Sequence, residues 1–151
     1  MVKIWLNCII CATILLDGGM ETKTIQQYLL GYNQVEIVVN NECKTVEDIE
    51  KLNITLNKML KDSRVMPAFG VSIHNETINA MQKGVWLRLS YDETKWVNGM
   101  NFDTLLINVE PKYSGFNIIR RNDGLYEGRC YYIDLANSTM QPLYDLINEL
   151  Q

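Results

Sequence analysis

The chain has 151 residues, of which 47% are hydrophobic and 21% charged, and its formal net charge at pH 7 is -4. These proportions are typical of a folded chain of one-domain size and exclude a disordered one. The acidic balance argues against a protein whose main task is to neutralise nucleic-acid phosphates.

An apolar run, IWLNCIICATILL, occupies residues 4–16. It is shorter than the roughly 20 residues of a transmembrane helix. Three interpretations stay open for residues 1–19: a buried first strand, a short signal-like segment, or a mis-called start with Met20 as the true one. We therefore separate 1–19 from one α+β domain over 20–151. Cys8 and Cys11 form a C-x-x-C pair without a second pair to complete a zinc site, so we expect no metal there.

Four segments have the patterns of helices. Thr24 and Gln27 form a capping box before a short helix at 25–30. Apolar residues spaced by three and four predict a longer helix over 45–61, capped by Thr45. A brief helix is expected over 76–83. A last amphipathic helix is expected over 138–150, capped by Ser138 with a proline in its first turn.

The strand patterns lie mostly in the second half of the chain. Residues 35–39 predict a strand at the edge of a sheet, and 85–91 alternate clearly between apolar and polar. A polar loop is expected over 92–100. Residues 102–109 are apolar on both faces, which indicates a central strand. The sequence predicts a hairpin over 116–135.

The hairpin prediction rests on Asp123-Gly124, a pair typical of a two-residue type I′ turn. In that register Arg120 faces Glu127, and Phe116 faces Tyr131. Alternation then divides the residues between two sheet faces. The more apolar set is expected against the core: Phe116, Ile118, Tyr131, Ile133 and Leu135. The other set is expected on an outer face that no helix covers: Asn117, Ile119, Arg121, Tyr126, Cys130, Tyr132 and Asp134.

Short connections between the strands from 85 to 135 require antiparallel neighbours. The two longer amphipathic helices need an apolar surface, which one face of that sheet provides. We therefore predict an α+β fold. It is an antiparallel β-meander of about four to six strands, backed by helices at about 45–61 and 138–150.

Chemical motifs are sparse. The sequence contains no Gly-rich phosphate loop, HExxH, GxSxG or EF-hand pattern. A nucleophilic set of Cys130, His74 and Asp134 is conceivable, but Cys130 and Asp134 would lie about 13 Å apart along one strand. We expect no catalytic residue, cofactor or metal, and a small hydrolase-like enzyme is the weakest alternative.

The predicted binding residues are Arg121, Tyr126 and Tyr132, on the outer face of the hairpin. Tyr and Arg are typical anchors of protein interfaces. They favour a small non-catalytic protein-interaction or regulatory domain, with a protein partner or self-association. Binding of nucleic acid by the same side chains is an alternative. The chain has the character of a cytoplasmic protein. It would be secreted or membrane-associated if residues 4–16 act as a signal.

Overall fold

A computed structural model describes Leu29, residues 31–66 and residues 70–151. The apolar run at 4–16, the Cys8–Cys11 pair and most of the helix predicted at 25–30 lie outside these residues. The described strands are β1 (Gln34–Val39), β2 (Glu42–Thr45), β3 (Arg64–Met66), β4 (Val71–Ser72), β5 (Val85–Val97), β6 (Met100–Asn108), β7 (Gly115–Arg121), β8 (Gly128–Arg129) and β9 (Tyr131–Asp134). The described helices are α1 (Ile49–Met59), α2 (His74–Ala80) and α3 (Gln141–Leu150).

Seven of the strands form one antiparallel sheet in the order β2-β1-β5-β6-β7-β9-β3. This confirms the α+β class and the antiparallel sheet, with more strands than the four to six expected. β6 lies in the middle, as its two apolar faces predicted. The prediction that 35–39 form an edge strand is wrong, because β2 pairs with β1 and occupies the edge itself. β4 and β8 form a separate two-stranded sheet.

The polar loop predicted over 92–100 is instead a strand and a tight turn. β5 continues to Val97, with an irregularity in its pairing to β6 between Ser90 and Lys95. Asn98 and Gly99 connect the two strands with φ angles of 49° and 74°. Positive φ at both positions is what a two-residue hairpin turn requires. Polar residues therefore occur in a strand here because that end of β5 faces solvent.

One face of the large sheet, which we call the helix face, packs against α1 and α3. Its buried residues include Leu87, Ile107 and Ile118 from three neighbouring strands. Leu56 of α1 and Ile147 of α3 are fully buried in the same cluster. Burial of large aliphatic side chains of this kind is the main favourable term in folding. The expected core set of Phe116, Ile118, Tyr131, Ile133 and Leu135 belongs to this cluster, which confirms it.

Helices α1 and α3 begin later along the chain than their predicted capping residues, Thr45 and Ser138, indicate. Thr45 is the last residue of β2, so it does not cap α1. Asp48 does so instead, and its carboxylate accepts a hydrogen bond from the Lys51 backbone N–H at 3.0 Å. Thr45 is held in the sheet by its pairing with Glu36. Strand pairing therefore moves the start of the helix.

The opposite face of the sheet, which we call the outer face, is covered in part. Val38, Trp86 and Leu106 from three strands form a second buried cluster with Met81 and Tyr126. Met81 directly follows α2, and Tyr126 follows the 123–124 turn. The expectation that no helix covers this face is therefore wrong near α2. The part of the face near Asn108 and Tyr132 is only half-buried.

None of the helices in the described part of the chain has both the length and the apolar character that a membrane span requires.

Candidate functional site

The hairpin that carries the predicted binding residues closes as the sequence indicates. Asn122 and Leu125 exchange both backbone hydrogen bonds, at 3.1 and 3.0 Å. Asp123 and Gly124 between them have φ angles of 49° and 83°. This is the two-residue turn with two positive φ angles that the Asp-Gly pair favours.

Beyond the turn, the predicted register is wrong by two residues. Phe116 pairs with Ile133, rather than with Tyr131. Ile118 pairs with Tyr131. Side chains alternate between faces with a period of two, so a shift of two residues leaves the side chains of the paired segments, 115–118 and 131–134, on their predicted faces. The division of the strands into helix face and outer face therefore holds although the partners differ.

The predicted pairing of Arg120 with Glu127 does not form. The Arg120 side chain is buried instead. The guanidinium donates to the backbone carbonyls of Arg129 and Asn101, at 2.8 and 2.7 Å. The segment opposite Arg120 leaves the large sheet, and Gly128 and Arg129 pair with β4 instead. The guanidinium thus occupies the space between the two sheets.

The three predicted binding residues do not form one exposed patch. Tyr126 is only 2% exposed. It stacks on the His74 ring with centroids 6.0 Å apart, and its backbone N–H donates to His74 Nδ1 at 3.2 Å. Exposure of Tyr126 was therefore predicted wrongly, because α2 lies over it. Whether these residues bind a ligand stays a prediction.

Arg121 and Tyr132 are half-buried and lie apart on the outer face. The Arg121 guanidinium lies 5.9 Å from the centre of the Tyr126 ring and 3.7 Å from an Asp103 carboxylate oxygen. Tyr132 pairs with Asn117, four residues from Arg121 along β7. At about 3.3 Å per residue that separation is about 13 Å. Arg121 thus has partners within the protein, whereas Tyr132 belongs to a different part of the face.

Tyr132 lines a cleft on the outer face, which we call the outer cleft. It has a volume of about 570 Å³, within the range of about 300–1,000 Å³ that is usual for ligand sites. The floor lies on the outer face of the sheet, and the β6–β7 connection forms a wall. Its lining includes Trp86, Asn108, Lys112, Tyr113, Asn117 and Tyr132.

The floor of the outer cleft is one row of side chains across four strands. Trp86 of β5 pairs with Asn108 of β6. Asn117 of β7 pairs with Tyr132 of β9. Strands lie about 4.8 Å apart, so the two amides are near neighbours between two aromatic rings. The Tyr132 hydroxyl is directed over Gly115, where an added Cβ would clash with it. The absence of a side chain at Gly115 therefore leaves room for the tyrosine at the end of the row.

Asn108 has an unusual environment in this row. Its Oδ1 atom is buried and accepts no hydrogen bond. A buried polar atom without a partner costs free energy, so such atoms are few in folded proteins; the Tyr126 hydroxyl is the other one among the described residues. Asn108 is not among the residues that the sequence predicted to bind. Its one available signal was a polar residue directly after the apolar run 105–107 of β6.

A second polar group on this side of the sheet surrounds the exposed Cys43. The Sγ atom of Cys43 donates a hydrogen bond to Glu36 Oε1 and accepts one from Arg88 Nη2, both at 3.2 Å. Arg88 Nε also donates to Glu36 Oε2 at 2.8 Å. Partial burial and the hydrogen bond to Glu36 raise the pKa of the Cys43 thiol. Because the thiolate is the nucleophilic form, this arrangement weakens the thiol as a nucleophile.

The fold does not give Cys130 and His74, two members of the hypothetical nucleophilic set, the surroundings that catalysis needs. Cys130 is buried, and burial raises the pKa of its thiol despite opposing effects of Ser72 and Arg120. His74 Nδ1 already accepts the backbone N–H of Tyr126. A general base needs a free nitrogen directed at the nucleophile. Neither group therefore has the surroundings of an activated pair.

Within the described ranges, no three His, Cys, Asp or Glu side chains come close enough to hold a metal ion. No protein-family model matches the chain, and no curated protein or solved structure is detectably similar to it.

Proposed function

We propose that the protein is a small non-catalytic interaction domain that binds a partner protein in the outer cleft. The observation that carries the proposal is the buried, unpaired Oδ1 of Asn108, a residue that lines the outer cleft. Rotation of the Asn108 side chain toward the cleft would let a hydrogen-bond donor from a partner satisfy it. Aromatic rings beside the amides add the flat apolar area on which interface anchors depend.

Nucleic-acid binding through Arg121 and Tyr126 has less support. Arg121 is already close to Asp103, and Tyr126 is buried beneath α2. A stacking platform needs exposed rings together with cations that are free to meet phosphates. The net charge of -4 also disfavours binding of the negatively charged phosphates of a nucleic acid.

The proposal is tested by selecting phage-displayed fragments of the source genome on the wild-type protein. Asn117 is exposed in the outer cleft, so Asn117→Trp should fill the cleft without disturbing the fold. We expect selected fragments to bind this variant at least about tenfold more weakly, as loss of a central contact does. The matched control is Asn57→Trp, on the exposed side of α1, which should bind like the wild type.

Fragments that bind Asn117→Trp as tightly as the wild type would overturn the proposed site. A selection that yields no fragment would overturn the proposed function. A concentration-dependent dimer that Asn117→Trp dissociates would replace the partner by a second copy of the chain.

A further inference from the structure

We infer that the partner presents an extended peptide segment with an acidic side chain to the outer cleft. The inference rests on the proposed function and adds the chemical class of the ligand. Two features of the cleft carry it: a pair of adjacent amides and a single positive charge.

The amides fit a peptide backbone. Asn108 and Asn117 lie just beyond the paired residues Ile107 and Ile118 of β6 and β7, which places them side by side. Each amide side chain offers an acceptor and two donors. An extended peptide presents an N–H and a C=O group along each edge, so its N–H can pair with the Asn108 Oδ1 when that side chain rotates toward the cleft. Asn117 is exposed and can meet a neighbouring carbonyl.

The cleft carries a positive charge, whereas the molecule as a whole is negative. Lys112 is the one charged residue in the described lining, in a chain with a net charge of -4. None of the ion pairs between described residues involves it. An acidic side chain on the peptide would meet a complementary charge there, and such complementarity selects among partners. A basic segment would be repelled by Lys112.

A nucleobase is the competing ligand, because an asparagine amide can also pair with adenine. Single-stranded nucleic acid would need several cations along its backbone. The described lining of the cleft supplies only Lys112. The peptide is therefore the ligand that the cleft favours.

The test uses an array of N-acetylated, C-amidated heptapeptides with Glu or Gln at the central position. We expect the Glu peptides that bind to do so about two- to fivefold more tightly than their Gln counterparts, as for an exposed ion pair. The difference should vanish in Lys112→Ala. It should persist in Lys61→Ala, which removes an exposed lysine outside the cleft.

Asn108→Ala should weaken Glu and Gln peptides alike, by about tenfold for one lost buried hydrogen bond. Its melting temperature should not fall below that of the wild type, because Oδ1 accepts no hydrogen bond within the protein and its unpaired burial costs free energy. A lowered melting temperature with unchanged peptide affinity would show a structural role and overturn the site.

The remaining outcomes separate the two proposals. Equal affinity of Glu and Gln peptides, or binding only of heptapeptides with a free C-terminal carboxylate, would overturn the acidic side chain but leave the proposed function intact. Binding of an adenine decamer that requires Asn108, without peptide binding, would replace the peptide by a nucleobase. If no peptide binds, the inference fails, and the genome-fragment selection decides the proposed function separately.

Discussion

The guanidinium of Arg120 donates to the backbone carbonyl of Arg129, nine residues further along the chain, at a distance of 2.8 Å. Its other contact is to the carbonyl of Asn101 at 2.7 Å, so the side chain bridges β6 and the segment that leaves the hairpin. Arg120 is only 9% exposed. Its contacts to the carbonyls hold the 122–130 segment beside the large sheet.

Arg120→Ala should lower the free energy of unfolding by about 1–3 kcal/mol for each carbonyl left without a partner. The measurement is urea denaturation followed by circular dichroism. Arg129→Ala is the control, because that side chain is exposed, and it should change stability by less than about 0.5 kcal/mol. Similar losses in the two variants would show that the buried guanidinium does not hold the segment.

Gly128→Ala should destabilise more than Gly99→Ala. Both glycines have positive φ, 97° and 74°, which costs an alanine about 1–2 kcal/mol. At Gly128 the new Cβ would also meet Arg120 Nη2 at 2.8 Å, whereas nothing lies within 4 Å of the site at Gly99. Thermal unfolding of the two variants measures the difference. An equal shift in melting temperature would mean that the Arg120 side chain moves aside freely.

Tyr126→Ala should lower the free energy of unfolding by about 3–5 kcal/mol, as for a buried aromatic residue. Its ring packs in a cluster with Trp86 and Leu106 and stacks on His74. Tyr113→Ala is the control, since that tyrosine is 58% exposed. A loss below about 1 kcal/mol for Tyr126→Ala would support the surface position that the sequence suggested.

Leu56→Ala should lower the free energy of unfolding by about 2–5 kcal/mol. Leu56 is fully buried on the side of α1 that faces the sheet, whereas Ile54 on the same helix is 62% exposed. Ile54→Ala should therefore change stability by less than about 0.5 kcal/mol. Chemical denaturation of the two variants compares them directly. Equal losses would contradict the orientation of α1.

Alkylation of Cys43 by iodoacetamide should have its pH midpoint above that of the same thiol in the unfolded chain. Partial burial and the hydrogen bond to Glu36 both favour the neutral thiol, so they raise its pKa. Glu36→Gln should lower the midpoint by removing the carboxylate charge. The rates are measured by mass spectrometry on protein with Cys8 and Cys11 replaced by serine. A midpoint that Glu36→Gln leaves unchanged would contradict this.

The sequence by itself determined the properties that depend on near neighbours along the chain. Asp123-Gly124 predicted the turn, because few other pairs tolerate two positive φ angles. Alternation placed Ile118 and Ile133 on the helix face, and this assignment withstood a change of register because the change was even. The apolar spacing that includes Leu56 likewise predicted the buried side of α1.

Only the tertiary structure decided what depends on residues distant in sequence. Strand β8 pairs with β4, and Arg120 enters the gap that this pairing leaves in the large sheet. Helix α2 covers Tyr126 from about fifty positions earlier in the chain. The outer cleft joins Trp86 to Tyr132 across four strands. No local pattern encodes these contacts, because each joins residues that are distant in sequence and meet only when the strands and helices assemble.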